Sequence, residues 1–269
     1  MGYLAVEAGK QIYYEHHVGA KSLTVVLSHG WGMGSRVWGN TVACLQDEGY
    51  SVVAYDHRGC GRSDQDFADV SIEALGDDVV KLCQHLGVNE VVVNGWSLGG
   101  AVVVDAAAKL GSNLAGLVLT AGASPRYTQG EGFPYGGQPD DVRATVQALR
   151  ADRVNFLKGL YFEGAFAKDV GDDVKHWAWQ ISLEAGPGAD ASLGALADTD
   201  QREIMAALDV PALVVVGGRD GVVAPEIGRF AAECLPNAQL LEMPECGHGP
   251  FLEEPETYHN ALLEYLSAL

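Results

Sequence analysis

The stretch Asn94-Gly95-Trp96-Ser97-Leu98-Gly99-Gly100 constrains this chain more than any other. A branched run, Val91-Val92-Val93, leads into it and Ala101-Val102-Val103-Val104 leads out, which predicts strand, sharp turn and helix. Gly95, Ser97 and Gly99 fit a G-x-S-x-G elbow, in which a serine is held on a strained turn with its hydroxyl clear of a buried strand's end. A side chain at Gly95 or Gly99 would collide with the neighbouring strand or helix, so the turn needs glycine on both sides. The plain alternative is an ordinary glycine-rich turn. The strand before and the helix after favour the elbow and make Ser97 the candidate nucleophile.

Around this turn the chain alternates. Residues 3–7 and 11–16 read as an antiparallel hairpin at a sheet edge, and 23–27, 51–55, 114–120, 210–216 and 239–243 read as further strands. With the elbow strand that makes about eight. Segments 36–48, 72–86, 225–235 and 253–266 read as helices, with Gly87 placed as a C-cap. Such alternation predicts an α/β fold, a mostly parallel sheet covered by helices on both faces. From about Ser124 to Thr199 the pattern breaks into a Gly- and Pro-rich stretch, 127–140, and short helices at 142–149, 154–161 and 174–182. The expected organisation is therefore a core of 1–123 and 200–269 with a mainly helical cap, 124–199, inserted over the sheet edge. The cap carries Tyr127, Phe133, Tyr135, Phe156, Tyr161, Phe162, Phe166, Trp177 and Trp179. Most of these are expected in the cap's own core and a minority against substrate.

Composition removes several function classes. Acidic residues outnumber basic ones 36 to 17, for a net charge of -19, so a phosphate backbone or an anionic membrane surface repels the chain. No nucleic-acid or membrane partner is expected. The 5 cysteines are scattered, without a C-x-x-C pair, and read as reduced thiols. The chain opens without signal-peptide order, contains no apolar run of spanning length, and has Val6 where a myristoylation site needs a hydroxyl residue. A cytoplasmic monomer or small homo-oligomer is the default expectation.

Three polar residues, each in a turn after a predicted strand, occur in the order Ser97, Asp220, His248, and parallel strands bring such turns to one sheet edge, where ligands bind. A serine hydroxyl is a poor nucleophile at neutral pH and needs a base within reach. That base needs a carboxylate to fix its tautomer and stabilise the imidazolium. His16, His17, His57, His85, His176 and His259 compete for the role from predicted strands or helices or from outside that edge, and Asp105 lies on the helix after the elbow. Ser28-His29-Gly30-Trp31-Gly32 follows a buried strand and can aim a backbone N–H at an oxyanion. The donors are assigned to Trp31 and Leu98, and the Trp31 and Trp96 side chains are placed against substrate. His29 reads as a brace of its own loop, and Asp56, His57 and Arg58 as a hydrogen-bonded brace of the next one.

With His29-Gly30-Trp31-Gly32, Gly95 to Gly99, Asp220 and His248 in this order, the chain resembles the α/β-hydrolase family over nearly its full length. Gly95-Trp96-Ser97-Leu98-Gly99-Gly100 and His29-Gly30-Trp31-Gly32 resemble the carboxylesterases that cleave the methyl ester of a carrier-bound pimeloyl chain. The loop 56–63 and the cap stretch 151–156 are more similar to the cofactor-free haloperoxidase and arylesterase branch, which often has Met where this chain has Leu98. The resemblance implies hydrolysis of a small or medium carboxylic ester through an acyl-enzyme, without metal or organic cofactor. A lactonase with the same triad is the near alternative. A C–C bond hydrolase, a perhydrolase and a non-enzymatic ligand receptor follow. Dehalogenases and epoxide hydrolases of this fold use an aspartate where this chain has Ser97.

Overall fold

Consecutive branched residues favour extended backbone, and when both side-chain faces are apolar the strand must lie inside a covered sheet. The computed structural model describes residues 1–269 and places such runs at the centre of an eight-stranded sheet. The strands are β1 (Gly2–Glu7), β2 (Lys10–His17), β3 (Thr24–Ser28), β4 (Ser51–Tyr55), β5 (Val91–Trp96), β6 (Leu114–Thr120), β7 (Ala212–Gly217) and β8 (Ala238–Met243). Their spatial order is β1-β2-β4-β3-β5-β6-β7-β8. Only β2 runs against its neighbours, pairing antiparallel with β1 and β4. The edge strand β1 alternates exposed and half-buried positions, whereas every residue of β3, β4 and β5 is buried.

Helices α1 (Gly39–Asp47), α2 (Ile72–Leu86) and α3 (Leu98–Leu110) follow β3, β4 and β5. The chain then leaves the sheet after β6 and returns at β7, forming α4 (Pro139–Ala151), α5 (Arg153–Gly159), α6 (Asp172–Ser182), α7 (Asp190–Asp198) and α8 (Arg202–Ala206) on the way. It closes with α9 (Pro225–Cys234), the short α10 (Pro250–Glu253) and α11 (Pro255–Ser267). Two apolar cores result. Val26, Val91 and Val93 pack with α2, α3 and α9 on one face, while Val25, Leu27 and Val92 pack with α1 and α11 on the other.

Local chemistry explains the helix ends. Ser71 Oγ accepts from Ala74 N at 3.2 Å to start α2, and Gly87, at φ 66°, ends it. There the Gly87 and Val88 N–H groups donate to the Gln84 and Cys83 carbonyls, a Schellman closure. Two helices differ from the sequence reading. Segment 36–48 begins as a 3-10 turn, Ser35–Trp38, before α1, and 253–266 is interrupted at Pro255, which lacks the N–H a continuous helix needs. Helices α7 and α8 add to the sequence reading, since their short stretches have no clear 3.6-residue apolar period.

The strand order reverses beside β3, whose neighbours are β4 and β5. In an open parallel sheet that reversal leaves a crevice at the strand ends. Ser28 pairs with Gly95 in the register, so the loop after β3 and the turn after β5 emerge side by side.

Candidate active site

Ser97 sits between β5 and α3 at φ 57°, ψ -124°, a conformation that a residue with a Cβ adopts only under constraint. The constraint is visible in its neighbours. A Cβ on Gly95 would lie 2.2 Å from the Gly99 carbonyl oxygen, and one on Gly99 would lie 2.5 Å from Ser28 O and 2.6 Å from His29 O. The elbow is therefore wedged against the loop after β3, as the sequence reading required. Leu98 is the first residue of α3, so its N–H has no partner inside the helix. The Trp31 N–H makes no hydrogen bond to any other group of the chain. Two backbone donors thus stand unengaged on the two turns that flank Ser97.

Asp220 and His248 lie in the turns after β7 and β8. His248 Nδ1 and Asp220 Oδ2 are 2.7 Å apart, and Asp220 Oδ1 accepts from the N–H groups of Val222 and Val223 at 2.8 and 2.9 Å. A carboxylate held by two backbone donors is fixed in orientation, and it holds the proton on Nδ1, which leaves Nε2 as the basic nitrogen. The Ser97 hydroxyl and His248 Nε2 carry no hydrogen bond within the chain, and both residues line one cavity. Trp96 fixes the other side of the histidine: its indole N–H donates to the His248 carbonyl at 2.7 Å, and the two rings lie 5.3 Å apart. The sequence reading placed Trp96 against substrate; its ring does reach the cavity wall, but its one polar group is spent on the His248 turn. The Trp31 indole N–H is likewise engaged, by Ala189 O at 3.0 Å.

The cavity measures about 90 Å³ and is mostly apolar, with Trp31, Trp96, Leu98, Leu160, Leu193 and Leu196 among its walls. No lysine or arginine lines it. Of the nine aromatic residues named between α3 and α7, three face it: Tyr127, Phe156 and Tyr161. Tyr127 is fixed by a 3.2 Å hydrogen bond from its hydroxyl to Val222 O.

The competing polar residues are occupied elsewhere. His57 N donates to His29 Nε2 at 2.9 Å, so His29 carries its proton on Nδ1, which donates to Gly30 O at 2.7 Å. Burial pushes both His29 and His57 below the ordinary histidine range, and His29, stacked on His57 at 3.8 Å, adds to the lowering of His57. Asp56 accepts from Ser35 N and Arg62 N at 2.7 and 2.8 Å. Arg58 forks onto Asp78 at 2.6 and 2.7 Å with both side chains buried. These are the braces expected of that loop. Asp105 pairs with Lys109 at 2.6 Å on the side of α3 that packs against Gly76 of α2.

Comparison with known proteins agrees with this architecture. Residues 24–255 match the family described as alpha/beta hydrolase fold. The bifunctional esterase/perhydrolase DCH of Acinetobacter calcoaceticus is 30% identical over 276 residues, covering 99% of both chains. The pimeloyl-[acyl-carrier protein] methyl ester esterase of Chromobacterium violaceum is 30% identical over 90% of this chain and 93% of its own. Among solved structures, an esterase from Exiguobacterium antarcticum superposes with a TM-score of 0.93 at 30% identity, over 99% of this chain and 100% of that one.

Proposed function

The chain belongs to the α/β-hydrolase family, and we propose that it is a serine hydrolase that cleaves a small, uncharged carboxylic ester through an acyl-enzyme. The observation that carries the proposal is the 2.7 Å contact between His248 Nδ1 and Asp220, which leaves the basic Nε2 in the cavity that Ser97 also lines.

In this reading the substrate carbonyl enters beside Ser97 with its oxygen toward the N–H groups of Trp31 and Leu98. Ser97 Oγ attacks the carbonyl carbon while His248 Nε2 takes the hydroxyl proton. The imidazolium is stabilised by Asp220, which keeps its negative charge. The tetrahedral oxyanion is held by the two N–H groups, each worth about a hundred- to a thousandfold in rate. His248 then gives its proton to the leaving alkoxide, the C–O bond breaks, and the acyl group stays on Ser97. Water, deprotonated by the same nitrogen, releases the acid in the second half.

Size and charge narrow the substrate. A cavity of about 90 Å³ is small and suits a short acyl chain. The absence of a cationic side chain from its walls and the net charge of -19 favour an uncharged ester. Hydrogen peroxide meeting the acyl-enzyme in place of water would give a peracid, the second activity in the Acinetobacter relative's name.

A p-nitrophenyl ester series from acetate to long acyl chains, run with a lactone panel, a peroxide assay and Ser97→Ala, tests the proposal. Ester turnover that is highest for short chains and lost in Ser97→Ala is expected. Lactone turnover alone moves the assignment to a lactonase. No turnover of ester or lactone removes the esterase reading and brings C–C hydrolysis or ligand reception forward.

A further inference from the structure

We propose that Glu253 is a positioning residue for His248, an inference that rests on the reading of His248 as the base. Glu253 ends α10, five residues after His248, and is buried, at 8% exposure. No lysine, arginine or histidine lies within ion-pair distance of it. Its carboxylate is instead satisfied by four backbone donors. Oε2 accepts from Gly247 N at 2.8 Å and from Ala167 N and Lys168 N at 2.9 Å each, and Oε1 accepts from Gly249 N at 3.0 Å.

The donors fall in two groups. Gly247 and Gly249 flank His248, whereas Ala167 and Lys168 belong to the excursion between β6 and β7. The His248 N–H itself donates to Ala165 O at 2.7 Å, so three consecutive residues of the base's turn are tied to that segment. The approach is close enough to require glycine: a Cβ on Gly247 would lie 2.6 Å from Ala167 N and 2.8 Å from Ala165 O. Asp220 sets the ring of His248 from one side, and Glu253 sets the backbone that carries the ring from the other. Hydrogen bonds to an ionised acceptor are about twice as strong as neutral ones, so one buried carboxylate can hold a turn that side-chain packing alone would leave loose.

Glu253→Gln breaks this arrangement with little change in volume. The amide oxygen can keep the three bonds of Oε2, but the NH2 group then faces the Gly249 N–H, donor against donor. Glu253 does not line the cavity, so substrate binding is left alone. The experiment compares wild type, Glu253→Gln and Glu253→Asp on a short p-nitrophenyl ester, with Ser97→Ala as control, at a temperature where each is folded. It also measures amide hydrogen exchange in the wild-type protein.

Displacing the base by a fraction of an ångström is expected to lower kcat of Glu253→Gln about 10- to 100-fold. KM should stay within about twofold, because ground-state contacts are unchanged. Glu253→Asp, which keeps the charge, should fall between the two. A Glu253→Gln enzyme with wild-type kcat, or with a change in KM alone, overturns the proposal. If Glu253→Gln does not fold, Glu253→Asp decides on the same split of kcat against KM. In wild type, the amides of Ala167, Lys168, Gly247 and Gly249 should exchange together and slowly, and exchange at exposed-loop rates overturns the proposal without any variant. A wild-type protein that turns over no ester marks failure of the hydrolase reading instead, since the exchange result stands apart from it.

Discussion

The strain at Ser97 can be separated from its chemistry by comparing two inactive variants. At φ 57° and ψ -124° any residue with a Cβ is strained, and such conformations cost about 1–3 kcal/mol. Ser97→Ala removes the hydroxyl and keeps the Cβ, so it keeps the strain. Ser97→Gly removes both. The hydroxyl makes no hydrogen bond within the chain, so neither variant loses one. Against the relief stands the greater freedom of glycine in the unfolded chain, about 0.5–1 kcal/mol. Ser97→Gly is therefore expected to be more stable than Ser97→Ala by up to about 2.5 kcal/mol. For a chain of 269 residues this corresponds to a rise in Tm of up to roughly 5 °C. Differential scanning calorimetry on the two proteins reads it directly. A more stable alanine variant would refute the claim that the elbow stores strain in the nucleophile's backbone.

Other perturbations follow from the same geometry. Gly99→Ala places a methyl 2.5 Å from Ser28 O and 2.6 Å from His29 O, in the loop that carries the Trp31 N–H. Its kcat should fall by about a hundredfold or more, the loss of one oxyanion donor, and a wild-type kcat would contradict that. Asp78→Ala removes the forked partner of the buried Arg58, which keeps only Glu7 at 3.3 Å and the Asp69 carbonyl at 2.8 Å, and should cost about 1.5–3 kcal/mol in urea unfolding; a cost under about 1 kcal/mol would show that the pair is dispensable. Burial holds His29 and His57 neutral below the pH where the unfolded chain takes up protons. The unfolded state then binds more protons, so stability is complete above about pH 6.5 and falls as pH drops, by about 1.4 kcal/mol per pH unit for each histidine. Urea titrations from pH 7.5 to 5.5 should show a shallower fall in His57→Asn than in wild type, and parallel slopes would count against the assignment.

The order in which the fold was legible follows from how local each constraint is. Branched runs such as Val91-Val92-Val93 specify covered strands by themselves, and the alternation with helices then specifies a parallel sheet. The glycines at 95 and 99 were legible because the collisions they avoid lie within one turn or one neighbouring strand. Strand-end turns made Ser97, Asp220 and His248 candidates, and the structure puts Asp220 against His248 and lets Ser97 share a cavity with His248. What the sequence hid is what depends on distant pairing. Nothing around Trp96 announces that its indole holds the carbonyl of His248, 152 positions away. Nothing near Asp190 shows that this fully buried carboxylate binds Arg150 and Arg153 from two other helices. The aromatic residues between α3 and α7 all look alike in sequence, and only packing separates Tyr127, Phe156 and Tyr161 from the rest.

The central claim is that Ser97 becomes covalently acylated with help from His248. An alkyl p-nitrophenyl phosphonate, which stops at the first covalent step, tests it by mass spectrometry of the intact protein and its peptides. The account predicts one adduct per chain, mapped to Ser97, absent from Ser97→Ala and formed far more slowly in His248→Gln. An unlabelled wild type, a label on another residue, or labelling at an undiminished rate in His248→Gln would contradict it.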